Sequence, residues 1–200
     1  MRKLAFVILM ITTVISAKAQ KRFKLDVTGK MGYYFPANKT NFPEMFFPEN
    51  AFSPGAGIAF GYTFFKSTGV FVGMEYSHLH PKMIDYFGTE LDVKWQSFNI
   101  PLIIEQGIGE DFFLTGGVIM VRQLKGYYDG LSAFAPQKIP EYNWQIGAGY
   151  KFKDLRISVQ FQRGFESINK KIKVSENEYF TVTVLHQEVF VKLEYPLWKF

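Results

Sequence analysis

The stretch RFKLDVTGKMGYYF, residues 22–35, decides how the chain is read. Phe23, Leu25, Val27, Gly29, Met31, Tyr33 and Phe35 take the odd positions, and Arg22, Lys24, Asp26, Thr28 and Lys30 the even ones. Successive side chains of a strand point to opposite faces, so this is a strand with one apolar and one charged face. It is longer than an ordinary strand of about 5–6 residues. It matches the roughly 9–11 residues with which a tilted strand crosses a bilayer. The stretch is therefore predicted to be the first stave of a transmembrane β-barrel.

Upstream of it, residues 1–19 read as a cleaved signal peptide. Arg2 and Lys3 give a positive start, residues 4–15 are apolar apart from Thr12 and Thr13, and Ala17-Lys18-Ala19 is a small-x-small cleavage site. The apolar run is shorter than the roughly 20 residues of a spanning helix, which weighs against a helical anchor. Residues 20–200 form the predicted barrel domain. Arg2, Lys3 and Lys18 leave with the signal, so 20 basic residues face 18 acidic ones and the mature chain carries +2. Neither that charge nor any motif points to nucleic acid. There is no cysteine, so packing or a closed hydrogen-bond network must hold the fold. Phe alone numbers 22, which suits an apolar outer band with two aromatic girdles. Mean hydropathy is near zero, which argues against a helical membrane protein.

Downstream, seven more strands are predicted, at residues 54–66, 70–80, 93–106, 112–122, 142–152, 155–165 and 179–200. Turns are placed at 67–69, 107–111 and 153–154, and long loops at 36–53, 81–91, 123–140 and 166–178. Pro101 lacks an amide donor, so a bulge or bend is expected there. Long and short connections alternate, as in bacterial barrels with short periplasmic turns and long external loops. The fold class is therefore an all-β, eight-stranded antiparallel up-and-down transmembrane barrel.

Parity assigns the faces. Val70, Val72, Met74 and Tyr76 face out with Phe98, Ile100, Leu102 and Ile104. Lys24, Lys30, Lys151, Arg156 and Lys192 face in with Asp26, Glu75, Glu105 and Glu194. Eight strands close on an interior that side chains can fill. Buried charges must be paired, so these nine are expected to form a structural ion-pair network that plugs the lumen.

GAGIAFGY at residues 55–62, FNIPLII at 98–104 and IGAGYKF at 146–152 resemble the outer-membrane β-barrel family common in Bacteroidetes, often labelled porin-like. The resemblance covers roughly residues 20–200. It implies an eight-stranded barrel of the small OmpA/OmpX type and assigns no activity. Phe200 resembles the C-terminal aromatic signal of the barrel assembly machinery. Phe200 and Trp198 lie in the even register, whereas Val189, Val191, Leu193 and Tyr195 lie in the odd one. Pro196 falls between them, and a bulge there would reset the register.

Candidate chemistry is sparse. His78 and His80 lie two apart but lack a third ligand, so no metal and no cofactor are expected. Ser77 and Glu75 face in while His78 faces out, and His186 has no serine beside it, so no hydrolytic triad forms and no enzyme is expected. In the first loop, Phe42, Phe46, Phe47 and Phe52 with Pro36, Pro43 and Pro48 make either a cap over the rim or an exposed contact surface. Lys170, Lys171 and Lys173 are candidates for contact with lipopolysaccharide phosphates. The expected partners are outer-membrane lipid and the assembly machinery, and the chain is expected to be a monomer. The sequence is read as a structural or surface-interaction barrel. A small-solute porin, a lipid-modifying enzyme and a soluble lipocalin-like binder are the alternatives.

Overall fold

Period-two alternation makes long strands, and the structure arranges them as a ring. It is a computed structural model that describes residues 22–35, 37, 46–48, 50–64, 67–85, 90–128, 131–134, 140–166, 168–173 and 179–199. The expected signal segment lies outside the described residues. In chain order the strands are β1 (Phe23–Tyr34), β2 (Phe46–Pro48), β3 (Ala51–Thr63), β4 (Thr68–Leu79), β5 (Lys82–Asp85), β6 (Glu90–Ile108), β7 (Phe112–Tyr128), β8 (Leu131–Phe134), β9 (Glu141–Phe152), β10 (Leu155–Gly164), β11 (Ile168–Lys173), β12 (Tyr179–Val184) and β13 (Gln187–Lys199). Eight of them pair antiparallel in the order β1, β3, β4, β6, β7, β9, β10, β13, and β13 pairs back onto β1. Closure leaves these staves no open edge. The chain is a closed eight-stranded antiparallel up-and-down barrel.

The faces follow parity. In β1, Asp26, Thr28, Lys30 and Tyr34 are buried while Val27, Met31 and Tyr33 are exposed. The same alternation runs along β4, β6, β10 and β13, so the outer surface is a belt of exposed Val, Ile, Leu, Met, Phe and Tyr. This reverses a lipocalin-like barrel, which hides its apolar face around a ligand. Aromatic rings gather at both ends of the belt. At the end with the tight turns, Phe23 stacks on Phe60 at 5.6 Å and lies 4.7 Å from Tyr62, whose ring meets Phe64 at 4.9 Å. At the other end, Phe161 meets Trp144 at 5.3 Å and Phe35 at 6.3 Å.

Several boundaries differ from the sequence-based expectation. Ser67–Gly69 is not the turn, because Thr68 and Gly69 already belong to β4 and Gly69 pairs with Thr63. The long connections are shorter than expected because strand pairing continues into them. Phe46–Pro48 pairs with β5, β5 pairs with the start of β6, and β8 pairs with the end of β7. Phe52 is part of β3 rather than of a loop, paired with Tyr33 and exposed on the outer face. The last predicted strand is two. β12 pairs with β11 as a separate hairpin, and the period breaks before β13 because Leu185, on an odd position, is buried.

Pro101 makes no bulge. The β4–β6 ladder lapses between Val72↔Leu102 and Glu75↔Asn99, yet resumes in the same register. The proline ring packs against Gly73, where a Cβ would come within 2.9 Å of it. The missing donor costs a rung of the ladder without shifting the register. The register does shift near Pro196: Leu25 pairs with Trp198 but Asp26 with Pro196, so Leu197 is the extra residue. This bulge carries Trp198 to the outer face beside Tyr195, and both are exposed.

Candidate functional site

The chemistry of this barrel lies in its lumen. The structure joins eight of the nine predicted charges in one ion-pair network and pairs the ninth, Lys30, with a further carboxylate, Glu188 of β13. Arg156 is the hub. One guanidinium nitrogen lies 3.2 Å from both Asp26 and Glu194, and the other contacts Glu105. Lys151 reaches Glu105 at 3.3 Å and Lys24 reaches Asp26 at 3.6 Å. Lys192 bridges Glu75 at 2.5 Å and Glu194 at 3.4 Å. Nearer the outer mouth, Lys30 donates to both oxygens of Glu188 at 3.2 Å.

Strand register selects these partners. Lys30 and Lys192 are direct neighbours across the β1–β13 pair, where like charges repel. Each turns to a different carboxylate, Lys30 outward along the barrel to Glu188 and Lys192 across it to Glu75. Arg156 lies opposite Glu194 on one side and Lys151 on the other. Its fork of donors suits several carboxylates at once, which a lysine could serve only as a point charge.

Two phenylalanines complete the lower cluster. The Arg156 guanidinium lies between the rings of Phe71 and Phe113, 4.9 and 4.8 Å from their centroids. Lys24 sits over Phe71 at 4.2 Å and Lys151 over Phe113 at 5.5 Å. A desolvated cation over an aromatic face gains about 2 kcal/mol. The rings fit because their cross-strand neighbours are Gly61 and Gly149. A Cβ at either glycine would overlap the facing ring. Parity read the inner face by its charges and missed that the space beside these glycines is filled by aromatic rings. The signal was present in the inward phenylalanines of β4 and β7, strands otherwise read by their outer faces.

The outer half is more polar than charged. Asn99 donates to Ser77 at 2.8 Å. His186, between β12 and β13, has its Nε2 3.4 Å from both Gln162 Nε2 and Glu188 Oε2, and its ring stands 5.1 Å from Tyr34. With the Asn143 amide turned to satisfy its neighbours, Nδ2 donates to Glu141 Oε1 at 3.0 Å and Oδ1 accepts from Gln162 at 2.7 Å. A cavity of about 40 Å³ lies here, walled by Trp95, Asn99, Gln123, Glu141 and Glu188 among others. A second, of about 10 Å³, lies between Thr115, Gln160 and Arg156, the size of about one water molecule. Glu141 stood at a predicted loop boundary and went unnoticed in the sequence, while His186, inside a misplaced strand, was weighed there only as a triad member.

The remaining candidates lie apart from this cluster. Ser77 and Glu75 are buried in the lumen while His78 is on the opposite face, its ring 4.2 Å from that of His80. Among the described residues no group of three His, Cys, Asp or Glu side chains could hold a metal ion. Phe42 lies outside the described residues, and Phe46 and Phe47 belong to β2. Lys170, Lys171 and Lys173 belong to β11, whose backbone pairs them with Val182, Thr181 and Tyr179 of β12.

No family model and no curated protein sequence matches the chain. Solved structures do. OprG of Pseudomonas aeruginosa is 12% identical with a TM-score of 0.55, over 89% of this chain and 97% of that one. Neisserial surface protein A is 12% identical with a TM-score of 0.56, over 86% and 96%. Ail of Yersinia pestis, solved with the heparin analogue sucrose octasulfate, is 11% identical with a TM-score of 0.50, over 89% and 99%. At such identities the likeness is one of architecture. The fold of this chain is that of the eight-stranded outer-membrane barrels.

Proposed function

We propose that this protein is a monomeric outer-membrane barrel with a structural or surface-interaction role, and that its lumen is sealed to solutes. The carrying observation is the Arg156 cluster. One guanidinium contacts three carboxylates between two phenylalanine rings, and two cavities among the described lumen residues are only about 40 and 10 Å³. Such spaces hold a few waters and no passing solute. In planar bilayers the purified barrel is expected to give no steady conductance. Large, steady unit currents would replace this reading with that of a small-solute porin.

The address follows from the apolar belt, the two ring girdles and Trp198 beside Tyr195. The chain enters the membrane after export and cleavage behind Ala19, with the C-terminal aromatics read by the assembly machinery. The β11–β12 hairpin then stands outside and carries Lys170, Lys171 and Lys173 for the phosphates of lipopolysaccharide. Mass measurement of the membrane-extracted chain is expected to begin at Gln20. An impermeant amine reagent on intact cells is expected to modify these hairpin lysines and spare Lys153 of the tight turn. Modification of Lys153 without the hairpin would invert the orientation.

A further inference from the structure

Among the described side chains, the lumen charges balance in one half and not in the other. Around Arg156, four cations (Lys24, Lys151, Arg156, Lys192) meet four carboxylates (Asp26, Glu75, Glu105, Glu194). In the outer half Lys30 answers Glu188. Glu141 is then one carboxylate too many. It is 6% exposed and receives the Asn143 amide, but no cation among the described side chains pairs with it. A buried carboxylate needs a compensating charge.

Glu141 lines the 40 Å³ cavity, and two other buried side chains present unsatisfied atoms there. Asn99 Oδ1 and Gln123 Nε2 have no hydrogen-bond partner. Ser53, Ser77 and Ser97 add hydroxyl oxygens to the same wall. We propose that this cavity binds one small monovalent cation, of the alkali-metal or ammonium class, held by Glu141, Asn99 Oδ1 and the serine hydroxyls. The volume admits an ion with one or two of its waters, one of which accepts from Gln123.

Among the described side chains the charge deficit is one, and they hold no triad of ligands for a divalent metal. A proton on His186 would sit in the wrong place. Its Nε2 faces Glu188, already engaged by Lys30 at both oxygens, and the Gln162 and Asn143 amides stand between it and Glu141. The site is independent of whether the lumen conducts, because it lies on the outer side of the Arg156 cluster.

Trp95, buried in the cavity wall, is a built-in reporter. The mature chain, folded in zwitterionic detergent, is titrated with sodium, potassium and ammonium chloride against N-methylglucamine chloride at constant ionic strength. Tryptophan fluorescence and the thermal unfolding midpoint are read together. At least one small cation is expected to give a saturable fluorescence change and raise the midpoint by a few degrees, with no such response to N-methylglucamine. Glu141→Gln, nearly isosteric and uncharged, is expected to abolish that response; if it does not fold, Asn99→Ala is read the same way. Equal curves for small and bulky cations would reduce the effect to screening and overturn the site, as would a Glu141→Gln barrel that keeps the small-cation response.

Discussion

Arg156→Ala is expected to destabilise the barrel by about 3–5 kcal/mol and to make it leak cations. The substitution removes the one group that contacts Asp26, Glu105 and Glu194 together, all three of them buried. Breaking a buried ion pair costs that much because the partner is left charged and desolvated. Lys24, Lys151 and Lys192 still reach these carboxylates and limit the loss. The space vacated between Phe71 and Phe113 joins the 10 Å³ cavity that Arg156 now lines. Three carboxylates around that space favour cations over anions. Urea unfolding in lipid vesicles measures the first effect, and the reversal potential under a salt gradient measures the second. Arg156→Lys keeps the charge but loses the fork, and is expected to lie between the two. An alanine variant as stable and as silent as the parent would remove Arg156 from its place as the lumen's hub.

The second large effect is expected at Lys30 and Glu188, which lie 158 residues apart in sequence and meet at 3.2 Å. Both side chains are almost fully buried. Lys30→Met leaves Glu188 with His186 as its remaining neighbour and is expected to cost about 3–5 kcal/mol. Glu188→Leu strands Lys30 over the ring of Phe190, 4.7 Å away, and is expected to cost a similar amount. The double variant leaves neither charge behind and is expected within about 1–2 kcal/mol of the parent, since an apolar replacement of a buried pair is often neutral. The resulting coupling of several kcal/mol is the measurement. Additive single effects would mean that the pair is exposed to water.

The faces of the barrel were legible in the sequence, and the contacts within it were not. Face needs only parity, and parity placed Lys24, Asp26, Lys30, Glu75, Glu105, Lys151, Arg156, Lys192 and Glu194 inside. Partnership needs register, and register depends on where each turn closes, which the Ser67–Gly69 expectation missed. Nothing local tells that Lys30 avoids its cross-strand neighbour Lys192 and meets Glu188 instead. The hairpin extensions were hidden by the Pro, Gly and Asp residues around them, which read as loop although pairing continues through β5 and β8. The bulge near Pro196 was legible because the aromatic pattern of Tyr195 and Trp198 makes sense only if one residue is skipped.

β13 is the last stave to be synthesised, and it carries Glu188, Lys192 and Glu194 inward. Until it docks, Lys30 lacks its carboxylate and Arg156 lacks one of its three. Sealing the ring and neutralising the interior are thus a single event. A gap reopened between the first and last strands would leave these charges unmatched, so the same ion pairs that fill the interior also hold the seam shut.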